Sequence, residues 1–490
     1  MVERFATRED IEAATAPCRV AEAIELLERH GGYEALAGAG LAGRLAELCP
    51  AGGPVVAYDR ASGIARVLTG DTHAETISAS GRGKTRRALL PTALTIALSG
   101  QSIFCNDPKA ELLGELSPVL ELAGYSVSVL DLRDPARTPD RYNPLRMAHD
   151  AYARGDYDRS SSVLSEVAAA IWPPDKGGDD PYWFSSATSW FLALSEALLE
   201  QGCPPALFNI ATITTLNSMY QSDGPLVTGM FRRCPNFPMA KSLSETVTSA
   251  PTETRRSILS VFLGQIGKYS SQNGLMSALG DSNFSPEDLA HGRAAAFIVT
   301  PDESGWLSSI SALIISQFSS ELIGCAARGG GKLPSTCWFL LDELGNFTAP
   351  IAGFLDLVTA GRSRGLLIDA VVQSDAQLAG IYGAAAARTI VDNLYNKVFL
   401  GTRDIECISR FSKQMGTYTA PSGRELPVMS EGALQRLERR GDASEAVFLA
   451  ESLPPFVSSL PDWDCYPHVP APKPRGGADT GNQRPGAEAP

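Results

Sequence analysis

Short apolar runs alternate with stretches of helical period in two separate portions of this chain, and between them only the helical period persists. In the first portion residues 76–79 predict a strand, a glycine-rich turn follows, and 85–98 predict a helix. Residues 102–105 predict a second strand ending at Asn106-Asp107-Pro108-Lys109, 110–123 a helix, and 126–130 a third strand ending at Asp131. Strands alternating with helices imply a parallel sheet, whose ligands sit at the carboxyl ends of its strands. The turn, Asp107 and Asp131 all fall at such ends. From about 146 to 285 the strand rhythm is lost: 161–171 and 183–199 predict helices, the latter with Trp183, Ala187, Trp190, Phe191, Leu194 and Leu198 on one face. An apolar face of that size is read as core packing ahead of partner docking. The α/β rhythm then returns, with strands at 294–299, 337–341, 366–373 and 397–400 and helices at 306–325 and 384–394. Ahead of the first portion, 20–30 predict a helix stopped by Gly31-Gly32, and 55–58 with 64–68 a small hairpin.

Composition bounds this picture. A chain of 490 residues with 44% hydrophobic positions is expected to build two or three packed units. Its 42 basic and 55 acidic side chains leave a net charge of −13, so any nucleic-acid contact has to be local. Nine scattered cysteines without a Cys-x-x-Cys pair point to a reducing compartment and away from structural zinc. The charged start of the chain is no signal peptide, and the longest charge-free run near it, 88–106, is interrupted by Pro91 and Gly100. No segment is expected to cross a membrane, and the Pro, Gly and Ala-rich residues 469–490 are expected to be a disordered tail.

The turn after the first strand carries the chemistry. Ser80-Gly81-Arg82-Gly83-Lys84-Thr85 opening an apolar run is the pattern of a phosphate-binding loop. Glycines let backbone amides approach phosphates, Lys84 reaches the terminal ones, and Thr85 can hold Mg²⁺. The full pattern asks for a glycine where this chain has Ser78. The strand Phe339-Leu340-Leu341 runs into Asp342 and Glu343, which puts Asp342 where it can hold Mg²⁺ and Glu343 where it can polarise an attacking water. An apolar strand ending in Asp-Glu is also what a plain solvent-facing strand end looks like, and the pairing with Lys84 decides for a nucleotide site. Gln373, at the tip of the next strand, is either a sensor of the terminal phosphate or a strand-end cap. Arg362 and Arg364, in the turn between those strands, either reach the nucleotide of a neighbouring subunit or form a solvated basic turn. Arg328-Gly329-Gly330-Gly331-Lys332 precedes a strand instead of following one, and is read as a connector.

In order along the chain, Leu90-Pro91-Thr92, Asp107-Pro108-Lys109-Ala110-Glu111, Arg141-Tyr142-Asn143-Pro144-Leu145 and Leu341-Asp342-Glu343-Leu344-Gly345-Asn346 follow one another. Arg362-Ser363-Arg364-Gly365, Gln373-Ser374-Asp375-Ala376-Gln377-Leu378, Ile381-Tyr382-Gly383 and the segment from Asp392-Asn393 through Lys397-Val398-Phe399-Leu400-Gly401 complete the series. Together they resemble the type IV secretion coupling proteins, the conjugative DNA-transfer ATPases of TraG/TraD type. The resemblance implies a RecA-like P-loop NTPase core with a parallel-rich sheet (71–145 and 286–468), an inserted all-α domain (146–285) and an N-terminal segment (1–70). It implies ATP and Mg²⁺ as cofactors, with Ser80, Gly81, Arg82, Gly83, Lys84 and Thr85 as the nucleotide cradle and Thr85 and Asp342 on the metal. Glu343, Lys84 and Gln373 would act in catalysis, with Arg362 acting in trans within a homo-hexamer. The partners implied are DNA, a relaxase or effector proteins, and type IV secretion components at the inner membrane. The chain itself would be cytoplasmic and peripheral, since family members usually begin with membrane helices and none is expected here. The family's usual Gly after Asp-Pro-Lys is Ala110, and Arg82 adds bulk and charge beside the phosphates. An FtsK/HerA-like DNA translocase and a non-hydrolysing substrate receptor are the competing expectations.

Overall fold

The computed structural model describes residues 5–173, 181–301, 305–451 and 453–469, so all of the expected tail but Val469 lies outside the described residues. Its strands are β1 (Thr15–Arg19), β2 (Val55–Asp59), β3 (Ile64–Leu68), β4 (Ala74–Ser78), β5 (Ser102–Asn106), β6 (Ser126–Asp131), β7 (Ala294–Val299) and β8 (Cys337–Leu341). They continue with β9 (Leu366–Val372), β10 (Asn396–Gly401), β11 (Thr417–Thr419), β12 (Glu425–Pro427), β13 (Arg439–Arg440), β14 (Ala443–Ala450) and β15 (Leu453–Pro461).

Seven parallel strands in the order β10-β4-β9-β8-β5-β7-β6 form the main sheet. β14 extends it antiparallel beyond β10, with β13 and β15 along β14. β4, β5, β7, β8, β9 and β10 are buried along their whole length, whereas the edge strand β6 is only partly so; burial on both faces is why β5, β7 and β8 read as continuous apolar runs. Alternate residues still divide between two cores. Phe104, Phe339 and Leu341 face one; Ile103, Cys105, Trp338 and Leu340 face the other.

The first core continues without a break into the helices that follow β6, including Tyr157–Ile171, Tyr182–Glu200 and Thr252–Ser270. Among the described residues between β6 and β7 there is no strand. Trp190, Phe191 and Leu194 are buried there, while Trp183 is only partly so. The helix Gly305–Arg328 has the length and apolar composition to span a bilayer, a property expected of no segment, and it lies between β7 and β8 with Ile310, Ile314, Phe318 and Leu322 in the same core.

The second core holds the helices Leu90–Ser99 and Glu111–Leu122 and the N-terminal unit. That unit is a three-stranded antiparallel sheet ordered β1-β3-β2, not the hairpin alone. Sequence periodicity passes over β1 because Pro17 sits inside it, and a strand with proline survives only at an edge, where β1 is. The helix Val20–His30 ends as expected, on Gly31 at φ 77°.

Candidate nucleotide-binding site

The site lies where β4 and β8 end. They are separated by β9 alone, with Ile77 level with Val372 and Leu340 level with Asp369. The turn after β4 takes positive φ at Gly81 (76°) and Gly83 (79°), and the chain then enters a helical run. The amides of Gly81 and Gly83 find no backbone acceptor among the described residues. The helical run is not uniform: Thr85–Leu89 is a π turn, closed by Leu90 N–H onto the Thr85 carbonyl, before Leu90–Ser99 continues as α. Pro91 explains the widening, because its ring cannot donate an amide bond and would clash with the carbonyl four residues back in a regular α turn.

Lys84, buried, reaches across to the end of β8. Its Nζ lies 2.5 Å from Glu343 Oε1 and 3.4 Å from Asp342 Oδ1. The Thr85 hydroxyl lies 3.4 Å from Asp342 Oδ2. Burial pushes the Asp342 carboxyl up against the pull of Lys84. Burial also works to raise Glu343, but there the hydrogen bond and charge of Lys84, with help from Lys109, outweigh it and hold Glu343 below the usual carboxylate range. Glu343 sits in the left-handed region at φ 58°, a strain of order 1 kcal/mol of the sort found at functional sites.

Several supports had no clear sequence signal. Asn106, at the end of β5, donates from Nδ2 to the Asp342 carbonyl at 3.1 Å. Lys109 Nζ lies 3.3 Å from Glu343 Oε1, and Asn346 Nδ2 3.5 Å from Glu343 Oε2. Asp107 does not enter the cluster directly: its carboxylate caps the helix Glu111–Leu122 by accepting from the amides of Glu111 (3.1 Å) and Leu113 (2.8 Å). Burial, reinforced by Asp342, pushes Asp107 up to about 6 against those bonds. Asp131 ends β6, five strands from β4 and so about 24 Å away at sheet spacing, and it binds Arg133 instead.

Arg82 turns away from the cradle, its Nη1 lying 3.4 Å from the Leu400 carbonyl at the end of β10. Gln373 stands at the carboxyl end of β9, between the strands of Lys84 and Asp342, its amide bonded to Gln377 Oε1 at 3.1 Å and its carbonyl to the Thr402 hydroxyl at 3.1 Å. Arg362 is not on this edge. It precedes β9, at the amino end of the sheet, with Glu451 at 3.7 Å, so within one chain it is not brought to Lys84. The connector 328–332 likewise lies at the amino edge, where Lys332 meets Asp71 at 3.1 Å.

Thr85, Asp342 and the backbone around them offer hard oxygen donors at close range, the donor chemistry that suits Mg²⁺. Lys84 and the glycine amides offer the complementary cradle for phosphate.

The family model of type IV secretory system conjugative DNA transfer matches residues 50–425. Protein VirD4 of Agrobacterium fabrum (strain C58 / ATCC 33970) is 25% identical over 355 residues, 71% of this chain and 50% of that protein. VirD4 of Rhizobium rhizogenes is also 25% identical over 355 residues, with the same coverage of 71% and 50%. The chain thus spans about half the length of the curated relatives it matches. Among solved structures, the bacterial conjugative coupling protein TrwBdeltaN70 in its unbound form is similar with a TM-score of 0.60 at 17% identity, over 86% of this chain and 92% of that one. The plasmid coupling protein TrwB in complex with ADP and Mg²⁺ gives a TM-score of 0.60 at 17% identity, over 86% and 91%. Likeness at that identity speaks to the fold, which is RecA-like. The match across most of its length is with one family throughout, and the chain belongs to the type IV secretory system conjugative DNA transfer proteins.

Proposed function

We propose that this chain is an ATP-hydrolysing coupling protein that recruits DNA–relaxase complexes or effector proteins and drives them into a type IV secretion channel. The observation that carries this reading is the meeting of Lys84 and Thr85 from the β4 turn with Asp342 and Glu343 from the end of β8. In our reading 71–145 with 286–468 is the nucleotide-binding domain, 146–285 the substrate-engaging all-α domain, and 1–70 an N-terminal segment. The chain would work as a homo-hexamer, peripheral at the inner membrane through its secretion partners.

The residues divide the work as follows. The Gly81 and Gly83 amides and Lys84 take the phosphates of ATP, and Ser80 and Arg82 shape the turn. Thr85 and Asp342 would hold Mg²⁺, which when bound neutralises charge on the terminal phosphates. Glu343 is ionised at neutral pH because Lys84 and Lys109 hold it so. A phosphate that draws Lys84 toward itself leaves Glu343 with Lys109 and Asn346, and its carboxylate is then available to orient and deprotonate a water. Gln373, at the end of the strand between them, would sense the terminal phosphate. Arg362, at the opposite edge, acts on the site of a neighbouring subunit or not at all.

The test is ATPase rate against protein concentration, with and without single-stranded DNA. The expected result is a steep concentration dependence and stimulation by DNA, with Lys84→Ala losing nucleotide binding and Glu343→Gln binding without turnover. Full activity in both variants would overturn the reading. Nucleotide binding without turnover in the unaltered chain, at high concentration and with DNA, would favour a receptor, and sustained tracking along duplex DNA without secretion partners a translocase.

A further inference from the structure

The outer side of the phosphate loop is held by arginines that the site's own chemistry does not use. Arg87, one turn into the helical run and 2% exposed, folds back under the loop. Its Nη1 lies 3.4 Å from the Arg82 carbonyl oxygen, and a Cβ on Gly83 would sit 2.0 Å from that same nitrogen. The guanidinium therefore fills the space that only glycine leaves at position 83. Its other end is fixed: Nη2 lies 3.1 Å from Asp462 Oδ2.

Asp462 begins a strap, Asp462–Tyr466, that follows β15 and is anchored on three sides. Its amide donates to the Asp442 carbonyl at 2.6 Å. The Trp463 indole, buried, donates to Glu115 Oε2 on the helix Glu111–Leu122 at 2.9 Å. Tyr466 stacks on Tyr58 of β2 with centroids 4.1 Å apart. Asp462 also meets Arg86 Nε at 2.8 Å, but Arg86 has two further acids, Asp464 at 2.6 Å and Glu115 at 3.6 Å, whereas Asp462 is the only carboxylate within ion-pair distance of Arg87 among the described residues.

A trans peptide points its carbonyl and its amide to opposite sides. Holding the Arg82 carbonyl outward against Arg87 therefore turns the Gly83 amide toward the cradle. We propose that Arg87 is a positioning residue of the phosphate loop, aimed by Asp462 of the strap, and that this pair presets the Gly83 amide for phosphate; the inference rests on the nucleotide-binding reading above.

The experiment is a fluorescence titration of the full chain with MANT-ADP, together with steady-state KM and kcat for ATP. Asp462→Asn and Arg87→Lys are each expected to weaken MANT-ADP binding and raise KM by roughly tenfold, the scale of one charge-assisted hydrogen bond. Turnover at saturating ATP stays within about twofold, since the pair presets binding and not the attack. The double variant is expected to be no worse than either single one, because both remove one device. Asp464→Asn, which takes a partner from Arg86 and His468 but none from Arg87, is expected to leave affinity unchanged. Arg87→Lys keeps the strap intact, so it tests the same bond should the Asp462→Asn chain unfold. Affinities within twofold of the unaltered chain, losses that multiply in the double variant, or an equal loss in Asp464→Asn would each overturn the proposal. An unaltered chain that takes up no MANT-ADP would instead sink the nucleotide-binding reading itself.

Discussion

Replacing Glu196 by Gln should stabilise the protein above neutral pH and do little below pH 5. Glu196 lies on the helix Tyr182–Glu200, 3% exposed, with its Oε1 3.5 Å from the Ser161 hydroxyl and its Oε2 without a hydrogen-bond partner among the described residues. Burial raises its carboxyl from the ordinary 4.5 to about 7; the Ser161 bond opposes the rise weakly, and the nearby Glu200 charge adds to it. Between those two values the native state binds a proton that the unfolded chain has already released, so stability falls as pH rises through the window. At about 1.4 kcal/mol per pH unit, the charged form costs about 3 kcal/mol by pH 8 and under about 1 kcal/mol at pH 5. Gln keeps the shape and cannot ionise. Denaturant unfolding followed by tryptophan fluorescence, with Trp190 in the same helix, should show a gain for Glu196→Gln that grows by about 2.5 kcal/mol from pH 5 to pH 8. A gain that stays constant across that range would refute the assignment of a neutral buried carboxyl.

Ala110→Gly should stabilise by about 0.5–1 kcal/mol in the same assay, because Ala110 is held at φ 53° and the relief of left-handed strain exceeds the backbone entropy that glycine adds. Gly83→Ala should cost roughly tenfold or more in nucleotide affinity, as its Cβ would collide with Arg87, and unchanged MANT-ADP binding would contradict the packing described. His73 is 1% exposed and accepts the Ile368 amide through Nδ1 at 3.2 Å; burial lowers it to about 4. The unfolded chain thus takes up a proton first as pH falls from 6.5 toward 4, and His73→Asn should remove up to about 3 kcal/mol of that acid-side loss of stability.

The parts of the fold that were legible in the sequence are those whose residues are constrained locally. β5, β7 and β8 are buried on both faces and read as apolar runs, and β9 and β10 keep enough Leu, Ile, Val and Phe around the buried Asp369 and Lys397 to read as strands too. Lys84 could be paired with Asp342 and Glu343 because the two acids follow an apolar run directly and Lys84 closes the glycine turn after a strand. What escaped depends on partners distant in the chain or on a local rule that a neighbour overrides. β1 carries Pro17 and is a strand only because β3 offers an edge. The π turn at Thr85–Leu89 answers to Pro91. The edge on which Arg362 lies follows from strand direction, which a turn sequence does not record. Asp462 is 375 residues beyond Arg87, and no periodicity joins them.

The departures of this chain from the common loop pattern have the same physical cause as its agreements. A glycine is required only where φ is positive or where a side chain would collide. Ser78, standing where the full pattern has glycine, ends β4 buried and is not among the positive-φ residues, so nothing at that position demands glycine. Arg82 is tolerated because its side chain leaves along β10, and Gly401 there, at φ 109°, lacks the Cβ that would come within 2.9 Å of the Arg82 Nη1. Gly83 is not replaceable, since both conditions hold at once. Ala110 is the converse: a left-handed position held by a residue with a Cβ, so the strain is retained, at the start of the helix that carries Glu115 to the strap. The loop is therefore kept in shape by its own glycines together with Arg82, Arg87 and Arg439, the last holding the Gly81 carbonyl through Nη1 at 3.0 Å from outside.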